Sequence, residues 1–102
     1  MAEVSFEANG RQVIKKYNVP WGHDRMYVML LAGTNLAGGN LSVEVSPLPD
    51  ADPAQNTHWC KVDGLETLAV DRAYSTDKFL TGFTIALNLT GATAPTFKAY
   101  YG

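Results

Sequence analysis

Residues 41–46, Leu41-Ser42-Val43-Glu44-Val45-Ser46, alternate apolar and polar without a break. A period of two sends successive side chains to opposite faces of a strand. Leu41, Val43 and Val45 are therefore expected to point into a core, with Glu44 on the opposite, solvent-facing side. Residues 83–90 repeat the pattern, with Phe83, Ile85, Leu87 and Leu89 inward. Nowhere does a 3.6-residue repeat persist beyond about two turns, so helices do not organise this chain.

The remaining elements are read from punctuation. Asn9-Gly10 lies between alternating segments, and both residues tolerate the positive φ of a tight hairpin turn. Pairing across it sets Ala8 opposite Arg11, Phe6 opposite Val13 and Val4 opposite Lys15. One face then carries Val4, Phe6, Ala8, Val13, Tyr17 and Val19, and Ile14 interrupts the polar face. Pro20 ends the strand. The run 26–31 is short and apolar throughout, as expected of a strand buried on both faces or lying against a partner. Residues 33–40 form a loop. Residues 47–56, with three prolines and two aspartates, form a surface loop long enough to be functional. Strands are expected at 57–62, which includes Trp59, at 65–70 and at 96–101, while 71–77 has no clear pattern. Seven to eight short strands with regular turn signals predict an all-β fold, an antiparallel β-sandwich or small barrel, with residues 1–102 as one domain.

Composition narrows the function classes. Charged residues make up 18% and the formal net charge is −2, which argues against a basic nucleic-acid binder. The longest apolar run, residues 26–32, has seven members, too few to span a membrane as a helix. No secretion signal is visible at the start. The single cysteine, Cys60, excludes an internal disulfide framework.

Candidate chemistry is thin. His23-Asp24 joins imidazole to carboxylate, but no serine or cysteine nucleophile motif accompanies it. His58 and Cys60 would share one strand face and begin a zinc site, yet no third or fourth ligand follows; Cys60 is expected to pack as a small, partly buried hydrophobe. Asp50 and Asp52 could ligate calcium, but the other positions of a calcium loop are missing. Two glycosylation tripeptides, at Asn40 and Asn88, fall in or beside strands. The expectation is a non-enzymatic chain without metal or cofactor.

Charge and aromatic residues point to binding instead. Residues 1–30 carry Arg11, Lys15, Lys16 and Arg25, whereas residues 44–77 carry seven acids against Lys61 and Arg72. Such asymmetry suits ordered docking on a partner. Trp21, Trp59, Tyr74, Tyr100 and Tyr101 are candidates for exposure, where they could stack on sugars or anchor an interface, although core packing is the expected role for Trp59.

The run from Leu41-Ser42-Val43-Glu44-Val45-Ser46-Pro47 through a loop to Trp59-Cys60-Lys61-Val62-Asp63-Gly64, then Gly91-Ala92-Thr93-Ala94-Pro95-Thr96-Phe97-Lys98-Ala99-Tyr100, resembles small virion β-sandwich proteins of tailed bacteriophages. The resemblance covers about the last 60 residues, a pattern of strands rather than a catalytic signature. It implies a capsid decoration (cement) protein that binds and stabilises the lattice of a major capsid protein. Its place would be the virion surface after synthesis in the host cytoplasm, and its form a homotrimer without nucleic-acid or membrane partners. Met1, Ala2, Glu3 and the loop residues Pro47, Leu48, Pro49 and Asp50 are the expected contacts with the shell. Ile14, Met26, Met29 and Leu31 are the expected contacts between copies. The alternative is a carbohydrate-binding or receptor-binding module of a phage fibre or tail accessory, stacking sugars on Trp21, Trp59 or the tyrosines.

Overall fold

A computed structural model of the chain describes residues 2–15, 26–76 and 82–102. The strands are β1 Ala2–Phe6, β2 Gly10–Lys15, β3 Met26–Met29, β4 Asn40–Ser46, β5 Cys60–Lys61, β6 Ala73–Thr76, β7 Thr84–Thr90 and β8 Phe97–Tyr101. A single 3-10 turn, Asn56–His58, precedes β5 among the described residues. Two four-stranded sheets result, β1-β8-β3-β6 and β2-β7-β4-β5. All their ladders are antiparallel. The all-β expectation holds, and the architecture is a sandwich.

The pairing follows one rule. The first strand pairs with the eighth, the second with the seventh, the third with the sixth and the fourth with the fifth. A long antiparallel ribbon is thereby rolled up, and the β3–β8 and β4–β7 ladders close the roll. This is the strand order of an eight-stranded jelly roll. Among the described residues only β4 and β5 are consecutive strands within one sheet.

The expected hairpin at Asn9-Gly10 is therefore wrong: β1 and β2 lie in opposite sheets. Asn9 shows why. Its Nδ2 donates to the Ala92 carbonyl at 2.8 Å, and its Oδ1 accepts the Ala92 N–H at 2.9 Å. The side chain thus mimics a strand rung and ties the β1–β2 corner to the β7–β8 corner. Gly10 sits at φ 132°, a conformation side chains rarely adopt. Residues that suit a hairpin suit this corner equally. The same end is closed by the Thr93 N–H donating to the Ala37 carbonyl at 3.0 Å. Gly39 lies so near the β7–β8 corner that a Cβ there would meet the Ala92 Cβ at 2.7 Å.

A bulge follows in β2, where the register with β7 jumps between Val13 and Lys15. Val13 pairs with Ala86 and packs on the outer side of its sheet, while Ile14 packs against the main core. Val13 and Phe6 thus do not share a face, Ala8 is exposed, and Ile14 does not interrupt a wet surface. The expected inward positions Tyr17 and Val19 lie outside the described residues.

Between the sheets, Phe6, Val28, Leu30, Leu41, Val43, Ile85, Leu87, Leu89 and Ala99 are buried, with Val4 and Val45 partly buried against them. Phe6 and Phe97 stack with ring centroids 5.1 Å apart, joining the first strand to the last. Each fully buried aliphatic or aromatic side chain contributes about 1.5–3 kcal/mol. Residues 65–70 form no strand. Leu65 and Leu68 enter the core beside β4, held by the Val43 N–H on the Leu65 carbonyl and the Leu68 N–H on the Leu41 carbonyl. In β3 the run 26–31 proves one-sided. Met26, Val28 and Leu30 face inward, while Tyr27 and Leu31 are exposed.

Candidate functional site

The outer faces of the two sheets carry what binding chemistry the described residues offer. On the β2-β7-β4-β5 sheet the outward positions are Arg11, Val13, Ser42, Glu44, Ser46, Thr84, Ala86 and Asn88, and the middle of this face is not wet. Ser42, Glu44, Ser46, Thr84 and Ala86 are all buried, because the segment after β4 folds back across them. Glu44, expected at the surface, is 4% exposed. Its carboxylate accepts from Arg11 Nε at 2.7 Å. Arg11 Nη1 continues to the Pro53 carbonyl at 3.0 Å and Asn56 Oδ1 at 2.8 Å, and the guanidinium carbon lies 5.8 Å from the centre of the Trp59 ring. One buried ion pair thereby fastens the loop to two strands. The alternation of β4 contains a signal for this cover: its outward positions are mostly small (Ser42, Ser46), as are Thr84 and Ala86 in β7, rather than the long charged groups of a solvated face.

The loop is tightly bonded to β7 and within itself. Thr84 Oγ1 donates to the Leu48 carbonyl at 2.9 Å, the Asp52 N–H donates to His58 Nδ1 at 3.0 Å, and Trp59 Nε1 donates to the Asp52 carbonyl at 2.9 Å. Trp59, Ala51 and Ala86 form a small second core, with Val13 packed against it. Trp59 is core, as expected, but it follows the 3-10 turn rather than lying in a strand. His58 belongs to that turn and Cys60 opens β5, so the two do not share a strand face. Cys60 is exposed, contrary to the expected partial burial, since β5 lies at the sheet edge. Asp52 Oδ1 accepts the Ala54 N–H, and among the described residues no group of three or more His, Cys, Asp and Glu could hold a metal ion.

The four expected shell contacts of this loop, Pro47, Leu48, Pro49 and Asp50, are exposed, Leu48 at 42%. Ala2 and Glu3 are also exposed, in β1 rather than in a free arm; Met1 lies outside the described residues. β1 runs toward the end closed by Asn9 and Ala92, and β4 runs away from it. The start of β1 and the start of the loop after β4 therefore share the opposite end of the sandwich, on different sheets.

The outer face of the β1-β8-β3-β6 sheet is different. Its register sets Glu3 beside Tyr100, Tyr100 beside Met29 and Met29 beside Ala73. Tyr27 is 43% and Leu31 46% exposed, and Met29 and Tyr100 are half-buried. Of the four expected contacts between copies, Met29 and Leu31 lie on this face, whereas Met26 is buried and Ile14 packs against the core. Tyr27 and Tyr100 join them; the register of β3 with β8 is what brings them together. Lys98 Nζ and Glu3 Oε1, 3.5 Å apart and about half exposed, form a polar rim. Trp21, His23 and Asp24 lie outside the described residues.

The chain matches no family model, no curated protein and no solved structure. No helix among the described residues is long and apolar enough to cross a membrane.

Proposed function

We propose that this chain is a structural binding protein of a tailed-phage virion, a capsid decoration protein that docks on the major capsid protein lattice as a homotrimer. The observation that carries this reading is the uncovered apolar face of Tyr27, Met29, Leu31 and Tyr100. Tyrosine and methionine at the centre with charge at the rim is the composition of a protein–protein contact. In this proposal that face joins the copies. Ala2, Glu3 and the rigid loop start at Pro47, Leu48, Pro49 and Asp50 meet the shell, where a preordered loop loses little conformational entropy on docking. Many copies on one lattice then add modest contacts into a strong shell. The sugar-binding alternative is weakened by Trp59, whose ring is buried under its own loop and offers no platform for stacking.

Light scattering on the purified protein should report three times the chain mass. Co-sedimentation with undecorated heads should saturate at a fixed ratio. A strict monomer that leaves such heads bare would refute the proposal, and selective binding on a glycan array would favour the alternative.

A further inference from the structure

The β1-β8-β3-β6 sheet splits at one end. β8 pairs with β1 down to Phe97, but its ladder with β3 stops at the rung between Met29 and Tyr100. Beyond that rung a groove of about 450 Å³ opens between Leu31, Gly33 and Thr34 on one bank and Thr96, Phe97 and Lys98 on the other. Antiparallel strands aim both polar groups of alternate residues at the same neighbour. Tyr27 and Gly102 exchange both backbone bonds, at 2.9 and 3.0 Å, which fixes the phase: Met29 and Leu31 face β8, and Tyr100 and Lys98 face β3. The Leu30 N–H, in the opposite phase, donates to the Arg72 carbonyl on the β6 side. The N–H of Leu31 and both backbone groups of Lys98 are therefore aimed into the groove, past the last rung. The Leu31 carbonyl accepts the Thr34 N–H at 3.0 Å, a turn that carries this bank away from β8.

We propose that this split is a docking slot for an extended segment of a partner polypeptide. The segment adds backbone rungs to Lys98 and Leu31, lays an apolar side chain against Leu31 and Tyr100, and sets a carboxylate against the Lys98 ammonium. Unfilled ladder positions select an extended peptide. Lys98, 54% exposed by its side chain and 3.5 Å from Glu3 Oε1, selects its charge by exchanging that solvent-exposed rim contact, worth little by itself, for the segment's carboxylate. The slot shares Leu31 and Tyr100 with the face proposed to join the copies, so a seated segment and a contact between copies exclude one another there.

The test uses the purified chain, diluted until light scattering reports a monomer, and a blocked peptide of alternating valine and glutamate, followed by amide hydrogen exchange. In the free protein the Leu31 and Lys98 amides should exchange at least about tenfold faster than those of Met29 and Tyr100. Saturating peptide should remove that difference, and a valine–lysine peptide should bind at least about tenfold more weakly. Lys98→Glu should invert the preference between the two peptides. Leu31→Asp, at an exposed site that keeps the fold, should weaken both. Equal protection of Lys98 and Tyr100 in the free chain, unchanged exchange at millimolar peptide, or a preference untouched by Lys98→Glu would each overturn the slot.

Discussion

The two sheets share one core but treat their outer faces in opposite ways. The β2-β7-β4-β5 sheet is roofed by residues 47–59 and carries a buried arginine–glutamate pair, small outward side chains and a second apolar cluster. The β1-β8-β3-β6 sheet leaves Tyr27 and Leu31 in the open. A polar position in an alternating strand is thus no guide to solvent: Glu44 is polar and buried, while Leu31 is apolar and exposed. What roofs the first face is the long segment after β4, which folds back across its own sheet. The roofed face supports the fold, and the open one is the face proposed above for binding.

The sharpest way to break this contrast is Glu44→Lys, which sets a second cation beside Arg11 under the roof. A broken buried pair costs about 3–5 kcal/mol, so denaturant midpoints should fall steeply or the chain should not fold. A variant as stable as the parent would mean that Glu44 lies on a wet face after all. The double change Arg11→Met with Glu44→Leu should recover most of that loss, because apolar replacement of a buried pair is often neutral or better. Trp59→Ala comes next, at about 3 kcal/mol, with new protease cleavage within 47–58 as the roof loosens. Uncut protein would show that the loop holds without its anchor. The smallest effect on stability belongs to Tyr27→Ser with Leu31→Ser, within about 0.5 kcal/mol by thermal or urea unfolding. The same pair should abolish self-association in light scattering; an intact oligomer would remove the open face from the proposed contact.

Much of this was legible in the residues. Strict alternation located β4 and β7 and their inward side chains, because a two-residue period depends only on local geometry. The partner of each strand was not legible. Asn9-Gly10 encodes a reversal of direction, and only Ala92, far along the chain, decides that the reversal is a corner between sheets. Val13 and Ile14 defeat alternation because a bulge turns neighbours to different cores. β6 was hidden for another reason: Ala73, Tyr74 and Ser75 lie at an edge where little is buried, so selection for apolar alternation is weak. At the candidate site, Leu31 and Met29 were visible as surplus apolar residues in a short run. Tyr27 lay in that run too, but Tyr100 joins it only through the register of β3 with β8.

The rolled pairing has a kinetic corollary. Among the described residues β1 finds its ladder only in β8, with Ala2 opposite Tyr101, so the first of these eight strands to leave a ribosome waits for the eighth. Folding must then be dominated by contacts distant in sequence, the slow regime for small domains, and nascent β1 and β3 stay unpaired on their β8 side until residues 97–101 have emerged. Removing residues 97–102 would consequently extract the strand shared by both, rather than trim a tail. Such a truncation should populate aggregating chains even though every residue of β1 to β7 is still present.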